Sequence, residues 1–289
     1  MISVVIPTRN RKDMLKECVF SVFEQIPAGI DCEIIIVDDE SVDGTSEIVS
    51  SMRSSFSNIK YIRQQRHKGC ASARNLGIRR SSFELIAFVD DDCVVEEKWM
   101  LNMLKAFQDY PEELAFQGGT INIKSPNWLQ RAYKRLVDIY GQKLIRHDCN
   151  VDRVYTDVLG NNFFTRKELF RKYGLFDPFY DFAAEDMDFW SRLKEKGQNI
   201  LYIPQVTARH RYKASLPGFC RQQINYGRGL WRFHERWGKK MPLKQCKRRH
   251  ILIEILKEKE SFIILPIHLA AGALIRLGCF IERILNPII

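Results

Sequence analysis

Short, mainly apolar runs recur along the first two hundred residues, and most are closed by a polar cluster. Ile2 to Ile6, backed by Pro7, is β-branched; CEIIIVDD (32–39), IKYI (59–62) and LIAFV (85–89) repeat the form. Such short runs predict strands, those at 32–39 and 85–89 buried. Between them the period changes. Met14, Leu15, Cys18, Val19, Val22 and Phe23 recur at helical spacing, and Ser41 to Gly44 is turn chemistry ahead of another helix. ASARNLGIRR (71–80) also reads as helix, and a further one is expected near Glu97 to Tyr110. Strands alternating with helices predict an α/β fold around a mainly parallel sheet. The rhythm is less regular after Ala115. Strands are expected near Leu114 to Ile123, Val158 to Thr165 and at NILYIP (199–204), with a helix from about Ala184 to Lys196. There is no internal repeat and no low-complexity tract.

The polar clusters at the strand ends carry the chemistry. In open α/β sheets ligands bind beyond the carboxyl ends of the strands. The first run ends in Pro7, Thr8, Arg9 and Asn10, the second in Asp38 and Asp39, the fourth in Asp90, Asp91 and Asp92. Asp and Asn at such places also cap the following helix, and for any one of them that reading serves equally well. Three tips together point to one polar crevice. No G-x-G-x-x-G follows the first strand, so the phosphate turn of a dinucleotide site is missing. Three adjacent carboxylates repel one another and need a counter-charge or plenty of water. A D-x-D pair suits a hard divalent ion, Mg²⁺ or Mn²⁺, which takes one or two protein carboxylates and completes its shell with water and phosphate oxygens. On this reading Asp90 and Asp92 face a cation and its phosphate ligand, while Asp91 points elsewhere.

A second acidic cluster lies in FDPFYDFAAEDMDFW (176–190). Glu185, Asp186 and Asp188 open a predicted amphipathic helix whose inner face is Phe189, Trp190 and Leu193. Acids in a first turn are common because they complement the helix dipole. The alternative is a general base beside a pocket walled by Phe179, Phe182 and Trp190, with its pKa raised toward neutrality by the apolar walls. His210, in VTARHRY, is a lone histidine of the kind that is more often structural. As a neutral imidazole it could complete the coordination begun by Asp92.

Composition narrows the field. At 45% hydrophobic and 28% charged, the 289-residue chain is globular rather than disordered. Its net charge of +10 calls for an anionic partner: phosphate, nucleic acid or an acidic membrane. The eight cysteines are scattered without a C-x-x-C pair, and are expected to be free thiols in a reducing compartment. The chain opens at once on ISVVIP without a basic n-region, so no signal peptide is expected.

Taken in order, VVIPTRNR (4–11), IIIVDDESVDGT (34–45), GCASARNLGI (69–78), AFVDDDC (87–93), LGNNFFTRKELFRKYGLFD (159–177), AAEDMDFWSRLKEKG (183–197) and His210 resemble the family 2 glycosyltransferases over about residues 1–215. The resemblance implies the Rossmann-like GT-A fold and a nucleotide-sugar donor, with uridine as the base. It implies that Pro7, Thr8, Arg9 and Asp39 hold the base, Asp39 accepting from its imide N–H, and that Arg74 approaches the base or diphosphate. Asp90 would contact the ribose or metal-bound water, and Asp92 and His210 the Mn²⁺ or Mg²⁺ ion. Asp186 would be the catalytic base and Glu185 would support it or orient the acceptor. The reaction would be a direct displacement with inversion. The stretch from Asn122 to Asp157 matches no particular subfamily, so the acceptor, a glycan or a lipid-linked sugar, is left open.

Two other readings stand beside this one. A metal-dependent sugar nucleotidyltransferase also sets carboxylates beside a nucleotide phosphate, but gives Asp186 no special role. A nucleic-acid-binding protein fits the charge: Arg228, Arg232 and Arg236 recur every fourth residue among Tyr226, Trp231, Phe233 and Trp237. An acid-lined crevice disfavours it, and no nucleic-acid partner is expected. The expected organisation is a catalytic domain over 1–215 and a basic, apolar, helical extension over 216–289. Lys239, Lys240, Lys244, Lys247, Arg248 and Arg249 precede the tail SFIILPIHLAAGALIRLGCFIERILNPII (261–289). A span needs about 20 apolar residues, and here Pro266 interrupts the run and Arg276 stops it. A helix or helix pair lying on an anionic cytoplasmic membrane surface is therefore expected, with packing on the protein itself as the alternative.

Overall fold

The ends of the first and fourth strands mark where the chain reverses its direction of travel across the sheet. In the computed structural model β1 (Ile2–Thr8) pairs in parallel with β2 (Cys32–Asp38) on one side and with β4 (Leu85–Val89) on the other; β3 (Ile59–Arg63) lies beyond β2. The structure describes residues 1–122, 127–141, 145–148, 153–156, 160–211, 215–238, 255–256 and 261–286. The basic cluster from Lys239 to Arg249 lies outside them, as does the Val158 start of an expected strand.

Beyond β4 the pairing becomes mixed. β9 (Asn162–Arg166) runs antiparallel between β4 and β6 (Ala115–Asn122), and β10 (Leu201–His210) runs parallel to β6. The antiparallel pair β7 (Ile145–Asp148) and β8 (Arg153–Thr156) forms the far edge, and β5 (Cys93–Val95) pairs antiparallel with the end of β10. The order is β3-β2-β1-β4-β9-β6-β10-β8-β7. This is the mixed, mainly parallel sheet of a GT-A fold, with a helical C-terminal segment.

The runs in β1, β2 and β4 are buried on both faces, whereas the edge strand β3 leaves Lys60 and Arg63 exposed. Val4, Ile6, Ile34, Ile36, Ala87 and Val89 face α1 (Lys12–Glu24), α2 (Thr45–Ser55) and α4 (Trp99–Asp109); Val5, Ile35, Val37, Ile86 and Phe88 face α3 (Gly69–Arg80), α6 (Glu168–Tyr173) and α7 (Glu185–Glu195). Of the inner face expected for α7, Phe189 and Leu193 are fully buried and Trp190 only partly. A third cluster joins α5 (Trp128–Gly141), α8 (Leu216–Trp237) and α9 (Ser261–Leu285).

Two boundaries differ from the sequence reading. β10 continues past Pro204 to His210, because a bulge between Ile203 and Thr207 absorbs the proline. The tail is the single helix of the two forms expected, and it continues through both Pro266 and Arg276, with one backbone hydrogen bond lost at the proline. The six cysteines among the described residues are free thiols.

Candidate active site

Thr8, Asp39 and the aspartate triplet meet at the carboxyl ends of β1, β2 and β4. The β1 turn is braced on the β2 turn. The Asn10 N–H donates to Ser41 Oγ at 2.9 Å, the Val42 N–H to Asn10 Oδ1 at 2.8 Å, and the Lys12 N–H to Asp43 at 3.0 Å. Asn10 adopts φ 52° here, a left-handed conformation that its short polar side chain tolerates. Pro7 and Thr8 are buried; Arg9 is exposed.

Asp38 and Asp39 build the surrounding loops. Asp38 accepts from the Ser41 N–H at 2.8 Å and the Tyr61 hydroxyl at 2.5 Å. Asp39 accepts from Gln64 Nε2 and from the Lys68 and Gly69 N–H groups at 2.8–2.9 Å, and its Oδ2 lies 2.6 Å from His67 Nδ1. These four contacts use the acceptor capacity of a carboxylate. The crevice end of Asp39 is therefore covered by His67, which is 41% exposed.

Two arginines supply counter-charge to the three members of the triplet. Asp90 Oδ1 accepts from Arg74 Nη2 at 3.0 Å. Asp91, turned inward, takes the Thr8 hydroxyl and Arg11 Nη1, both at 2.7 Å. Asp92 Oδ2 takes the same Arg11 nitrogen at 2.8 Å, and its Oδ1 faces His210 Nε2 at 3.3 Å. Burial, opposed by Arg11 and aided by Asp92, raises Asp91 to about 6. Against the cost of its own burial, Arg11 is held protonated by Asp91 and Asp92. Counter-charge to the triplet is thus also supplied by two arginines, one on the β1 turn and one on α3. Arg11 was not singled out by its sequence position; the only signal is that it follows a strand tip in TRNR.

Whether the residues suit a divalent ion turns on Asp92 and His210. They are neighbours because His210 pairs with Cys93 across β10 and β5, and the Arg211 N–H donates to the Asp92 carbonyl at 3.0 Å. An ion with bonds of about 2.1 Å at near-right angles spans about 3 Å between two donors, so a carboxylate oxygen and an imidazole nitrogen at 3.3 Å fit one ion. Among the described residues no three His, Cys, Asp or Glu side chains converge on one point, and Asp90 is turned to Arg74. Two protein ligands leave the rest of an octahedral shell for water and diphosphate oxygens, the usual arrangement for Mg²⁺.

Arg74 joins this crevice to the second acidic cluster. Its Nη1 donates to Glu185 Oε1 at 2.7 Å while its Nη2 holds Asp90, and the guanidinium lies 5.6 Å from the centre of the Phe176 ring. Glu185 is buried and Asp186 keeps part of its surface open. Asp186 Oδ1 accepts from the Met187 N–H at 2.8 Å. Burial, then the neighbouring charge of Glu185, push Asp186 up to about 7, with Arg74 opposing. Asp188 is fully buried and tied to Arg192 at 3.0 Å and Trp237 Nε1 at 2.9 Å, so it braces α7 instead of facing the crevice. The expected apolar walls are reassigned. Phe179 and Phe182 lie against Arg232 and Arg228, and Trp190 packs on the second core.

The model of the family described as glycosyl transferase family 2 matches residues 3–174. Glycosyltransferase AglE of Haloferax volcanii is 25% identical over 209 residues, covering 72% of this chain and 66% of AglE. A Methanococcus voltae enzyme named as a dolichyl N-acetyl-α-D-glucosaminyl phosphate 3-β-D-2,3-diacetamido-2,3-dideoxy-β-D-glucuronosyltransferase is 25% identical over 246 residues, covering 78% of this chain and 71% of its own. Glycosyltransferase GlyG of Streptococcus pneumoniae is 34% identical over 109 residues, which is 36% of its length. Among solved structures, a Pyrobaculum calidifontis mannosyltransferase in complex with GDP-Man and Mn²⁺ aligns with a TM-score of 0.62 at 17% identity, covering 97% of this chain and 79% of that one. Staphylococcus aureus TarS (1–349) aligns at 0.55 and 17%, covering 98% and 90%.

Proposed function

Because the chain belongs to glycosyl transferase family 2, we propose that it moves a sugar from a nucleoside-diphosphate sugar, a UDP-sugar first, to a hydroxyl of a glycan or lipid-linked acceptor, with inversion. The observation that carries the reading is the Arg74 fork. One buried guanidinium holds Asp90 at the donor crevice and Glu185 beside Asp186, which brings the candidate base within reach of the donor site. The Pyrobaculum and TarS complexes, whose names include GDP-Man or UDP-GlcNAc, support a nucleotide-sugar donor.

Pro7, Thr8 and Arg9 border the base site, and Asp39 reads the imide once His67 has moved. Arg74 and Asp90 face the diphosphate and ribose side. Asp92 and His210, with Asp90 through water, would hold Mn²⁺ or Mg²⁺, which when bound offsets charge on the diphosphate. Asp186, as the carboxylate, takes the acceptor hydroxyl proton. The oxygen attacks the anomeric carbon from the face opposite the diphosphate; the glycosidic C–O bond to phosphate breaks as the new C–O bond forms. Glu185, fixed by Arg74, keeps Asp186 basic by its charge. A sugar nucleotidyltransferase would release pyrophosphate and leave Asp186 without a task.

The division into a catalytic part (1–215) and an extension (216–289) belongs to the same proposal, as does peripheral attachment to the cytoplasmic face of a membrane. α9 is the one candidate span among the described residues, with a mean hydropathy of 1.9 over its most apolar 18 residues. Its inner side packs on α8, where Gly227 and Gly278 meet so closely that a Cβ on Gly227 would stand 2.0 Å from the Ile275 carbonyl oxygen. Phe262, Leu269, Leu277, Phe280 and Ile284 form an exposed apolar stripe on the outer side. A spanning α9 would drag α8 and its arginines into the bilayer, whereas one lying in the interface leaves that packing intact. The Methanococcus relative, named for a dolichyl phosphate substrate, supports a lipid-linked acceptor.

The test is a panel of nucleotide-sugars with and without Mn²⁺ or Mg²⁺, scored for release of nucleoside diphosphate against pyrophosphate. Metal-dependent diphosphate release, lost in Asp186→Asn, is expected. Pyrophosphate release would establish the nucleotidyltransferase instead.

A further inference from the structure

The segment from Asp177 to Ala184 carries the chain into the Glu185-Asp186 pair, and α8 holds it at almost every residue. Arg236 pairs with Asp177, and Arg232 Nη1 donates to the Phe179 carbonyl and, at 2.7 Å, to Asp181 Oδ1. The Arg228 guanidinium lies 3.4 Å from the centre of the Phe182 ring. Gly229 lets α8 approach so closely that a Cβ there would stand 2.3 Å from the Ala183 carbonyl oxygen. On its other side the segment presses on the first residue of α3. A Cβ on Gly69, which has φ +82°, would lie 2.5 Å from the Asp181 carbonyl oxygen. Ala184 then turns into α7 with φ 73°, a conformation alanine does not hold unless its neighbours fix it.

Two of these arginines are fixed by one acid from the far end of the chain. Glu282, on α9, is 0% exposed. Its Oε2 accepts from Arg228 Nε and its Oε1 from Arg232 Nε, both at 2.6 Å, and Asn286 Nδ2 donates to Oε1 at 2.7 Å. By taking the Nε of Arg232, Glu282 leaves the outer nitrogen Nη1 aimed at Phe179 and Asp181. A buried acid between two arginines is a poor source of stability, because apolar residues of similar size do as well; what it supplies is a fixed geometry. It also prevents two neighbouring guanidinium groups from repelling each other.

We propose that Glu282 is a positioning residue for the Glu185-Asp186 pair, acting through Arg228 and Arg232 on the segment Phe179 to Ala184. The role rests on the glycosyltransferase reading for its catalytic consequence but not for its structural one. The C-terminal helix is then part of the catalytic apparatus, although none of its residues enters the crevice.

The experiment compares full-length Glu282→Gln with wild type by hydrogen exchange and by turnover. Gln keeps the size of the side chain and one acceptor oxygen but loses the charge. Ile264→Ala, which empties a buried site in the α5–α9 contact, is the control for general loosening of α9. In Glu282→Gln the amides of residues 179–187 should exchange about tenfold faster or more, with β1 to β4 unchanged. Turnover of the best nucleotide-sugar of the panel should fall about tenfold, the scale of a displaced catalytic group. Calorimetric affinity for UDP with Mn²⁺ should stay within about twofold, because donor residues lie on other elements. Ile264→Ala should change neither segment exchange nor turnover. Unchanged exchange at 179–187, or equally faster exchange there in Ile264→Ala, overturns the proposal. So does a loss of UDP affinity as large as the loss of turnover. If Glu282→Gln does not fold, Arg232→Lys, which keeps the charge but cannot bridge Glu282 and Asp181, takes its place under the same criteria. Should wild type release no nucleoside diphosphate from any donor, the glycosyltransferase reading fails while the exchange comparison still decides the positioning role.

Discussion

The ionisation of Asp186 gives the sharpest test of the proposed chemistry. Its carboxyl is moved from an ordinary 3.8 to about 7, by burial first and by Glu185 second. Over that range the protonated form gains about 4 kcal/mol on the carboxylate. If Asp186 must be ionised to accept the hydroxyl proton, the rate follows the ionised fraction, about one tenth at pH 6 and about nine tenths at pH 8. Turnover at saturating donor should therefore rise about tenfold across that interval. Glu185→Gln removes the repelling charge and releases Arg74 toward Asp186. Both changes favour the carboxylate, so the midpoint moves to lower pH even if the maximum rate falls. Asp186→Asn should lose about 10²-fold or more in turnover and lose the limb near pH 7. The assay is initial-rate release of nucleoside diphosphate from pH 5 to 9, run separately with Mg²⁺ and Mn²⁺. A metal-linked ionisation shifts with the ion, and that of Asp186 does not. A flat profile between pH 6 and 8, or an upward shift in Glu185→Gln, would refute the assignment.

Other outcomes follow from the same geometry. Since the folded pKa of Asp186 is raised, wild type loses stability as pH climbs from about 4 to about 7 and then levels off. Asp186→Asn should melt higher than wild type at pH 8, with the gap closing by pH 4, as thermal unfolding without metal would show. Asp92→Asn should weaken Mn²⁺ and UDP binding together in calorimetry, because an amide is a poorer ligand for a hard cation; unchanged binding would remove Asp92 from the metal site. Arg11→Met leaves Asp91 and Asp92 buried without their shared cation and should destabilise the fold by about 3 kcal/mol in denaturant titration. Replacing Phe262, Leu269 and Phe280 together by serine should abolish cosedimentation with anionic liposomes and leave the melting temperature almost unchanged; equal binding by both proteins would refute the interfacial placement.

β1, β2 and β4 were legible because they are buried on both sides, so each reads as a short, β-branched apolar run bounded by turn residues. The second half of the sheet was not. α5 shows Leu129, Ala132, Tyr133 and Leu136 at helical spacing, a signal present but unread among its charged residues. The edge strands β7 and β8 are short and carry few apolar residues, so no local pattern marked them. At the site, each acidic tip could be found from its place after an apolar run. Its partner could not. Arg11 meets Asp91 and Asp92, and Arg232 meets Glu282, across separations that no local period encodes. The occlusion of Asp39 by His67 was equally invisible, since it depends on how the loop after β3 folds back.

The bulge in β10 has a consequence for how this chain can vary. Ile203 pairs with Gly118 but Thr207 with the very next residue, Gly119, so three residues are looped out of the ladder. Asn162 clasps the loop, donating to the Val206 and Gly119 carbonyls at 2.6 and 2.9 Å while Trp99 Nε1 donates to it at 2.9 Å. Ahead of the loop the inward residue is Leu201; after it the inward residues are Val206 and Ala208, and Arg209 is exposed. An odd count has exchanged the two faces. The loop thus sets the phase of the strand's last turn of alternation, and His210 arrives beside Asp92 only in that phase. Deleting or inserting a single residue among Pro204, Gln205 and Val206 would present Arg209 to the aspartates and send the histidine outward, without altering any residue of the site. Length is therefore constrained in this stretch, because a change in residue number there separates His210 from Asp92.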